Sequence, residues 1–388
     1  MTKAAMTRIG IDATSLSTTG KGVSTYQHNL IKHVAKQDEQ TEYFIFLNGE
    51  NQFPELPASP NFTYVEVSSF NTMVLEQYHM PRWFSRYSLD LLHTTTDRLP
   101  LLNDPRIVVC LFEIPDHRIR TGKHRASLYK RITDTWTSRI FPRSMEKAAF
   151  IITSSKSTMN DLMERYNVDP DKMEVIHLAP AEVFAPAESP EEIQDIRRDF
   201  GAEEGYVLHF STSDHRDNTQ TVLKAYEKAL RTSNLKQKLV IGGNTGSARE
   251  QLSREISKLG ISEQVIFAGY RPLDELVMLY RGADAYIDAS LYEGFGLQVV
   301  EAMACGVPVI VSNTTSLPEV AGDGGILVDV DDQDGFATAL IDLLQNDAKR
   351  SELSNKAYEQ ARTFSWEGTV SRTLAVWQRV IGAEQYVC

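Results

Sequence analysis

Short apolar runs alternate with longer amphipathic stretches twice over along this 388-residue chain, and a segment rich in Pro, Ala and Glu, residues 179–192, separates the two series. The first series predicts strands at 8–13, 43–47, 63–67, 89–93, 107–111, 150–153 and 174–176, with helices between them. The second predicts strands at 206–210, 238–241, 264–267, 285–288, 307–311 and 326–328. Strands that alternate with helices form parallel sheets, because a parallel neighbour is reached only by a crossover. A single core stops growing at about 250–300 residues. The chain is therefore expected to form two Rossmann-like α/β halves, 1–180 and 191–364, followed by an amphipathic helix within 365–388.

Composition narrows the class. With 42% apolar and 24% charged residues the chain reads as an ordinary globular protein. Its longest apolar stretches, such as 107–112 and 148–152, fall far short of the roughly 18–20 residues that cross a bilayer, and no signal peptide is visible. Cys110, Cys305 and Cys388 show no paired spacing, which argues against a disulfide framework or a zinc site and suits a reducing, cytoplasmic setting. A formal net charge of −12 argues against indiscriminate binding to nucleic acid.

The chemistry concentrates in Glu293-Gly294-Phe295-Gly296-Leu297-Gln298-Val299-Val300-Glu301, which lies between a predicted strand and a predicted helix. Glycines let a ligand approach the backbone, and uncapped amides at a helix start attract phosphate. Glu301, about five residues into that helix, lies roughly 7 Å from those amides at ~1.5 Å per residue, about the span from a diphosphate to a ribose. Glu293, on the turn, can reach a group carried by the distal phosphate, and Ser290 stands beside it. The plainer alternative is that both glutamates cap or solvate a helix.

The run continues as Glu301-Ala302-Met303-Ala304-Cys305-Gly306-Val307-Pro308-Val309-Ile310 and then Ser316-Leu317-Pro318-Glu319-Val320. With Arg8-Ile9-Gly10-Ile11-Asp12-Ala13, Gly20-Lys21-Gly22 and Phe364-Ser365-Trp366, this resembles retaining glycosyltransferase family 4, over nearly the full chain. The resemblance implies the GT-B fold: two Rossmann-like domains facing across a deep cleft, the last helix crossing back to the first. It implies a nucleotide diphosphate sugar as co-substrate, no cofactor and no metal. The acceptor would be a glycan or a lipid-linked glycoconjugate. Glu293 would orient the donor sugar, Glu301 the ribose, and the amides of Gly294, Phe295, Gly296 and Leu297 the sugar or phosphate. Gly20, Lys21 and Gly22 would form a loop near the donor.

Departures from the family pattern are equally specific. Where the family often has His-Asp after the fifth strand, this chain has Phe112-Glu113, so that Glu113 becomes the candidate sugar contact and His117 the candidate substitute for the histidine. The family's basic pair for the diphosphate is replaced by Ser211 and Asp217. Two like charges 4 Å apart repel by about 1–4 kcal/mol, so Asp217 must turn away or be offset. Arg216 and Arg271 are the candidate cations, with an interdomain salt bridge as the other reading of Arg216.

Between 117 and 147 nine Lys or Arg face two acids, Asp134 and Glu146, with Leu128, Tyr129, Ile132, Trp136, Ile140 and Phe141 interleaved. Such a segment can dock on the inner face of a membrane, or pack its apolar stripe on the core and solvate its basic face. The reading of the whole chain is a retaining, metal-independent glycosyltransferase; the alternative is a catalytically degenerate nucleotide-sugar-binding partner subunit.

Overall fold

The structure, a computed structural model, describes residues 6–17, 22–49, 56–68, 71–101, 106–115 and 128–383. The chain divides into two compact units, one built from Met1–Leu178 and Ser365–Cys388, the other from Ala179–Phe364.

The first unit holds a seven-stranded, all-parallel sheet in the order β3-β2-β1-β4-β5-β6-β7. Its strands are β1 (Arg8–Asp12), β2 (Glu42–Leu47), β3 (Phe62–Glu66), β4 (Leu91–Thr94), β5 (Ile107–Leu111), β6 (Phe150–Thr153) and β7 (Met173–Val175). The central strands β4, β5 and β6 are buried at every residue, as expected when helices cover both faces of a parallel sheet. Leu89, which the apolar run assigns to β4, is buried but unpaired with the sheet. Its amide instead closes the preceding helix on the Phe84 carbonyl, beyond a left-handed Ser88.

Two helices of this unit matter below: α1 (Gly22–Gln37) and α2 (Leu128–Lys147). In α2, Ile140, Phe141 and Met145 are buried, while Arg139, Arg143, Glu146 and Lys147 are exposed. The apolar residues that a membrane interface would require at this end of the helix are therefore committed to the core. Ile132 is exposed, and 117–127 lie outside the described residues. Among the described residues no helix is long and apolar enough to cross a membrane.

The second unit holds a six-stranded parallel sheet in the order β10-β9-β8-β11-β12-β13. Its strands are β8 (Tyr206–Phe210), β9 (Lys238–Gly242), β10 (Val265–Gly269), β11 (Ala285–Asp288), β12 (Val309–Ser312) and β13 (Gly325–Val328). Helices α3 (Thr219–Thr232), α4 (Leu273–Arg281) and α5 (Leu297–Ala304) follow β8, β10 and β11.

The last helix, α6 (Trp366–Ala383), belongs to the first unit and packs on α1 and β4. Trp377, fully buried, donates its indole N–H to His93 Nδ1 at 3.2 Å, and Tyr26 Oη lies 3.0 Å from His93 Nε2. An indole only donates, so His93 is neutral with its proton on Nε2, directed at the tyrosine oxygen. Burial pushes this imidazole down to about 3, which keeps it neutral throughout the physiological range.

Candidate active site

In an open parallel sheet the strand order reverses at one point, and the loops beyond the strand ends diverge there to leave a crevice. In the second unit that point lies between β8 and β11. Beyond β8 come Ser211 and the loop to α3, which carries Arg216; beyond β11 come Ser290, Glu293 and the start of α5. The two loops are bonded to each other, the Leu291 amide to the Arg216 carbonyl at 2.8 Å and the Asn218 side-chain amide to the Ala289 carbonyl at 2.9 Å. Ser211, Arg216, Ser290, Glu293, Gly294, Phe295, Gly296, Leu297 and Glu301 are thus gathered by the topology at one end of one sheet.

The turn into α5 is rigid and leaves the helix start open. Gly296 has φ +90°, and a Cβ there would sit 2.7 Å from Leu317 Cδ2, so only glycine fits. Phe295 is buried edge-on against Phe364, with ring centroids 5.7 Å apart. Its side chain therefore anchors the turn. The N-cap of α5 is Gly296, which has no side chain of its own to close the helix start. The backbone of Glu293 is held on both sides, its amide donating to Thr315 Oγ1 at 3.1 Å and its carbonyl accepting from Ser316 Oγ at 2.9 Å. Thr315 adopts a left-handed φ of +52°, a cost of about 1–3 kcal/mol of the kind that accumulates at functional sites. Ser290 is buried; its amide donates to Asp288 Oδ1, and its carbonyl accepts from Ser312 and Thr314.

Glu301 sits on the buried face of α5. Tyr280 donates its phenol O–H to Glu301 Oε2 at 2.9 Å. One neutral donor does not replace the lost water, so burial lifts Glu301 to about 8.

The loop beyond β8 explains how an acid is tolerated where the family has a cation. Asp217 folds back onto its own loop, accepting from Thr212 Oγ1 at 2.8 Å and from the Thr212 amide, and burial raises its pKa. Arg216 bonds Asp214 Oδ2 through its Nε and Nη2 at 2.9 and 2.8 Å within the same loop. Ser211 is buried, its Oγ 2.8 Å from Thr219 Oγ1, which lies 3.0 Å from His209 Nε2. Arg271 lies beyond β10, two strands from β8, where it bonds Glu275 at 2.7 Å and the Ala268 carbonyl at 2.8 Å.

The remaining sequence candidates belong to the first unit. Glu113 is half-buried just beyond β5. Gly22 opens α1, and a Cβ there would meet open space, so packing does not account for the glycine. Gly20, Lys21 and His117 lie outside the described residues. Among the described residues no group of three His, Cys, Asp or Glu side chains is placed to hold a metal ion. Sequence reasoning missed Tyr280 and Thr315. Thr315 adjoins the Ser316-Leu317-Pro318 motif, which is a usable signal, whereas nothing local marks Tyr280.

Comparison with known proteins identifies the family and the fold. The family model for group 1 glycosyl transferases matches residues 192–360, and that for Glycosyltransferase Family 4 matches residues 20–179. The chain is 28% identical over 301 residues to the O-antigen chain mannosyltransferase B of Escherichia coli, covering 78% of this chain and 74% of that protein. It is 30% identical over 249 residues to a D-inositol 3-phosphate glycosyltransferase of Corynebacterium glutamicum, covering 62% of this chain and 59% of the relative, under two thirds of its length. Among solved structures it is similar to Anabaena HepE in complex with UDP and glucose, with a TM-score of 0.71 and 17% identity over 96% of this chain and 99% of that one. With both halves of its length matched, the chain belongs to the family 4 glycosyltransferases of GT-B fold.

Proposed function

We propose that the protein transfers a sugar from a nucleoside diphosphate donor to a hydroxyl of a glycan or lipid-linked acceptor, with retention at the anomeric carbon and without a metal. The observation that carries this reading is the glycine-capped start of α5 at the β8/β11 switch point, bracketed by Glu293 and Glu301. Amides at a helix start, with their partial positive charge, suit a departing diphosphate. Glu301 receives the ribose hydroxyls and Glu293 the donor sugar. The acceptor oxygen bonds C1 on the face from which the phosphate oxygen leaves, and that oxygen takes the acceptor proton. Such a step needs no protein base, and this accommodates Phe112-Glu113 in place of the family's His-Asp.

Relatives named as a mannosyltransferase and an inositol phosphate glycosyltransferase, and a fold neighbour bound to UDP and glucose, support a hexosyl donor and a glycoconjugate acceptor. The replaced basic pair, with Arg216 tied to Asp214, favours as second reading a partner subunit that binds the donor without turnover. Nucleotide release from UDP-, GDP- and ADP-sugars, with and without acceptor, separates the two. Release that depends on Glu293, and is lost in Glu293→Ala, supports the transferase. Tight donor binding with no release from any donor overturns it.

A further inference from the structure

Glu301 can grip a ribose only if its carboxylate is held at a fixed angle while one oxygen remains for the ligand. α5 alone does not ensure this, because a glutamate has three side-chain torsions, and the residues before and after it in the helix are apolar. The fixed reference comes from another helix. Tyr280, near the end of α4, is fully buried and reaches across to Glu301 Oε2 at 2.9 Å. Its ring is wedged among Phe184, Phe210 and Tyr286, with centroids 5.6, 5.4 and 6.2 Å away. The next residue, Arg281, clamps the end of the helix through the Ala185 carbonyl and Glu192, each at 2.8 Å. The phenol is therefore a donor that cannot easily swing away, aimed at a single oxygen of Glu301.

We propose that Tyr280 is a positioning residue for donor binding: its hydroxyl engages Oε2 of Glu301 and leaves Oε1 to accept from the ribose of the nucleotide. This rests on the ribose-binding reading of Glu301 given above. Ribose contacts are made equally in the ground state and the transition state, so their loss raises KM and spares kcat. Tyr280→Phe keeps the ring in its cluster and deletes only the hydroxyl. It is expected to raise the donor KM about tenfold, the scale of one hydrogen bond to a charged group, with kcat changed less than about twofold.

The deciding measurement compares each enzyme on the ribosyl donor and on the donor lacking the 2′-hydroxyl. Wild type is expected to discriminate between them about tenfold or more, and Tyr280→Phe to lose most of that discrimination. Tyr226→Phe, which deletes a buried phenol O–H on α3 bonded to the Gln237 carbonyl, serves as control and is expected to discriminate as wild type does. If wild type discriminates and Tyr280→Phe does so equally, the positioning role is overturned while the assignment of Glu301 stands. If wild type itself does not discriminate, the ribose assignment of Glu301 falls and this inference with it.

Discussion

Replacing Glu301 by Gln tests whether the site stores an uncompensated acid. Burial carries the carboxyl from an ordinary value of 4.5 to about 8. At ~1.4 kcal/mol per unit this is a penalty of about 5 kcal/mol for holding the ionised form in the empty site. Below pH 4.5 both folded and unfolded chains carry the proton, and the penalty is absent. Between 4.5 and 8 the unfolded chain has released its proton while the folded one retains it, so stability falls as pH rises, and it levels off above 8. Gln has the same shape, still accepts from Tyr280 and does not titrate.

The stability difference between Glu301→Gln and wild type should therefore widen from pH 5 to pH 8 in favour of the variant, by several kcal/mol. The assay is denaturant unfolding of the second unit at a series of pH values. Taking the difference between the two proteins cancels every other titrating group, His93 included. Donor affinity should behave in the opposite way: it should rise with pH toward 8 in wild type, as the ribose-accepting carboxylate forms, and be weak and flat in the variant. Parallel unfolding curves, with a difference that does not change with pH, would refute the claim that Glu301 is held as a buried acid.

Two further outcomes follow from the geometry. In the first unit His93 is depressed from 6.5 to about 3 by burial, so its contribution is complete above pH 6.5 and is lost as pH falls toward 3. The docking of α6 should weaken over that window by up to about 5 kcal/mol, read by fluorescence of the buried Trp377; an unchanged signal down to pH 4 would contradict the buried neutral imidazole. In the second unit Gly296→Ala must place a Cβ 2.7 Å from Leu317 Cδ2 at φ +90°. The expected costs are about 1–2 kcal/mol of stability and at least a tenfold loss of kcat/KM as the amides of the turn are re-aimed; wild-type kinetics in a folded variant would show that the turn does not face the donor.

Both sheets were legible because the central strands of parallel sheets are buried on both faces and so appear as unbroken apolar runs. The misreading at Leu89 shows the limit of that signal: burial tells which residues are inside, while pairing depends on where the backbone hydrogen bonds go, and there a helix end takes the amide. In α2 the charge count suggests a membrane surface, while Ile140, Phe141 and Met145 at helical spacing mark a core-facing stripe, and at that end of the helix those residues are buried. The site divides in the same way. Glu293, Gly296 and Glu301 could be found because a strand, a turn and one helix carry them within nine residues. The pairing of Arg216 with Asp214 was two residues away and could have been read as a side chain capping its own turn. Tyr280 was beyond reach, since it comes from a different helix, 21 residues upstream of Glu301. The motif says where a carboxyl stands, but whether it carries charge depends on what encloses it. Here the enclosure is made by α4 and its aromatic neighbours, which no spacing within the motif records. A chain could therefore keep the motif and alter its proton affinity through position 280 alone, and this is why donor affinity against pH is the measurement that reads the fold beneath the signature.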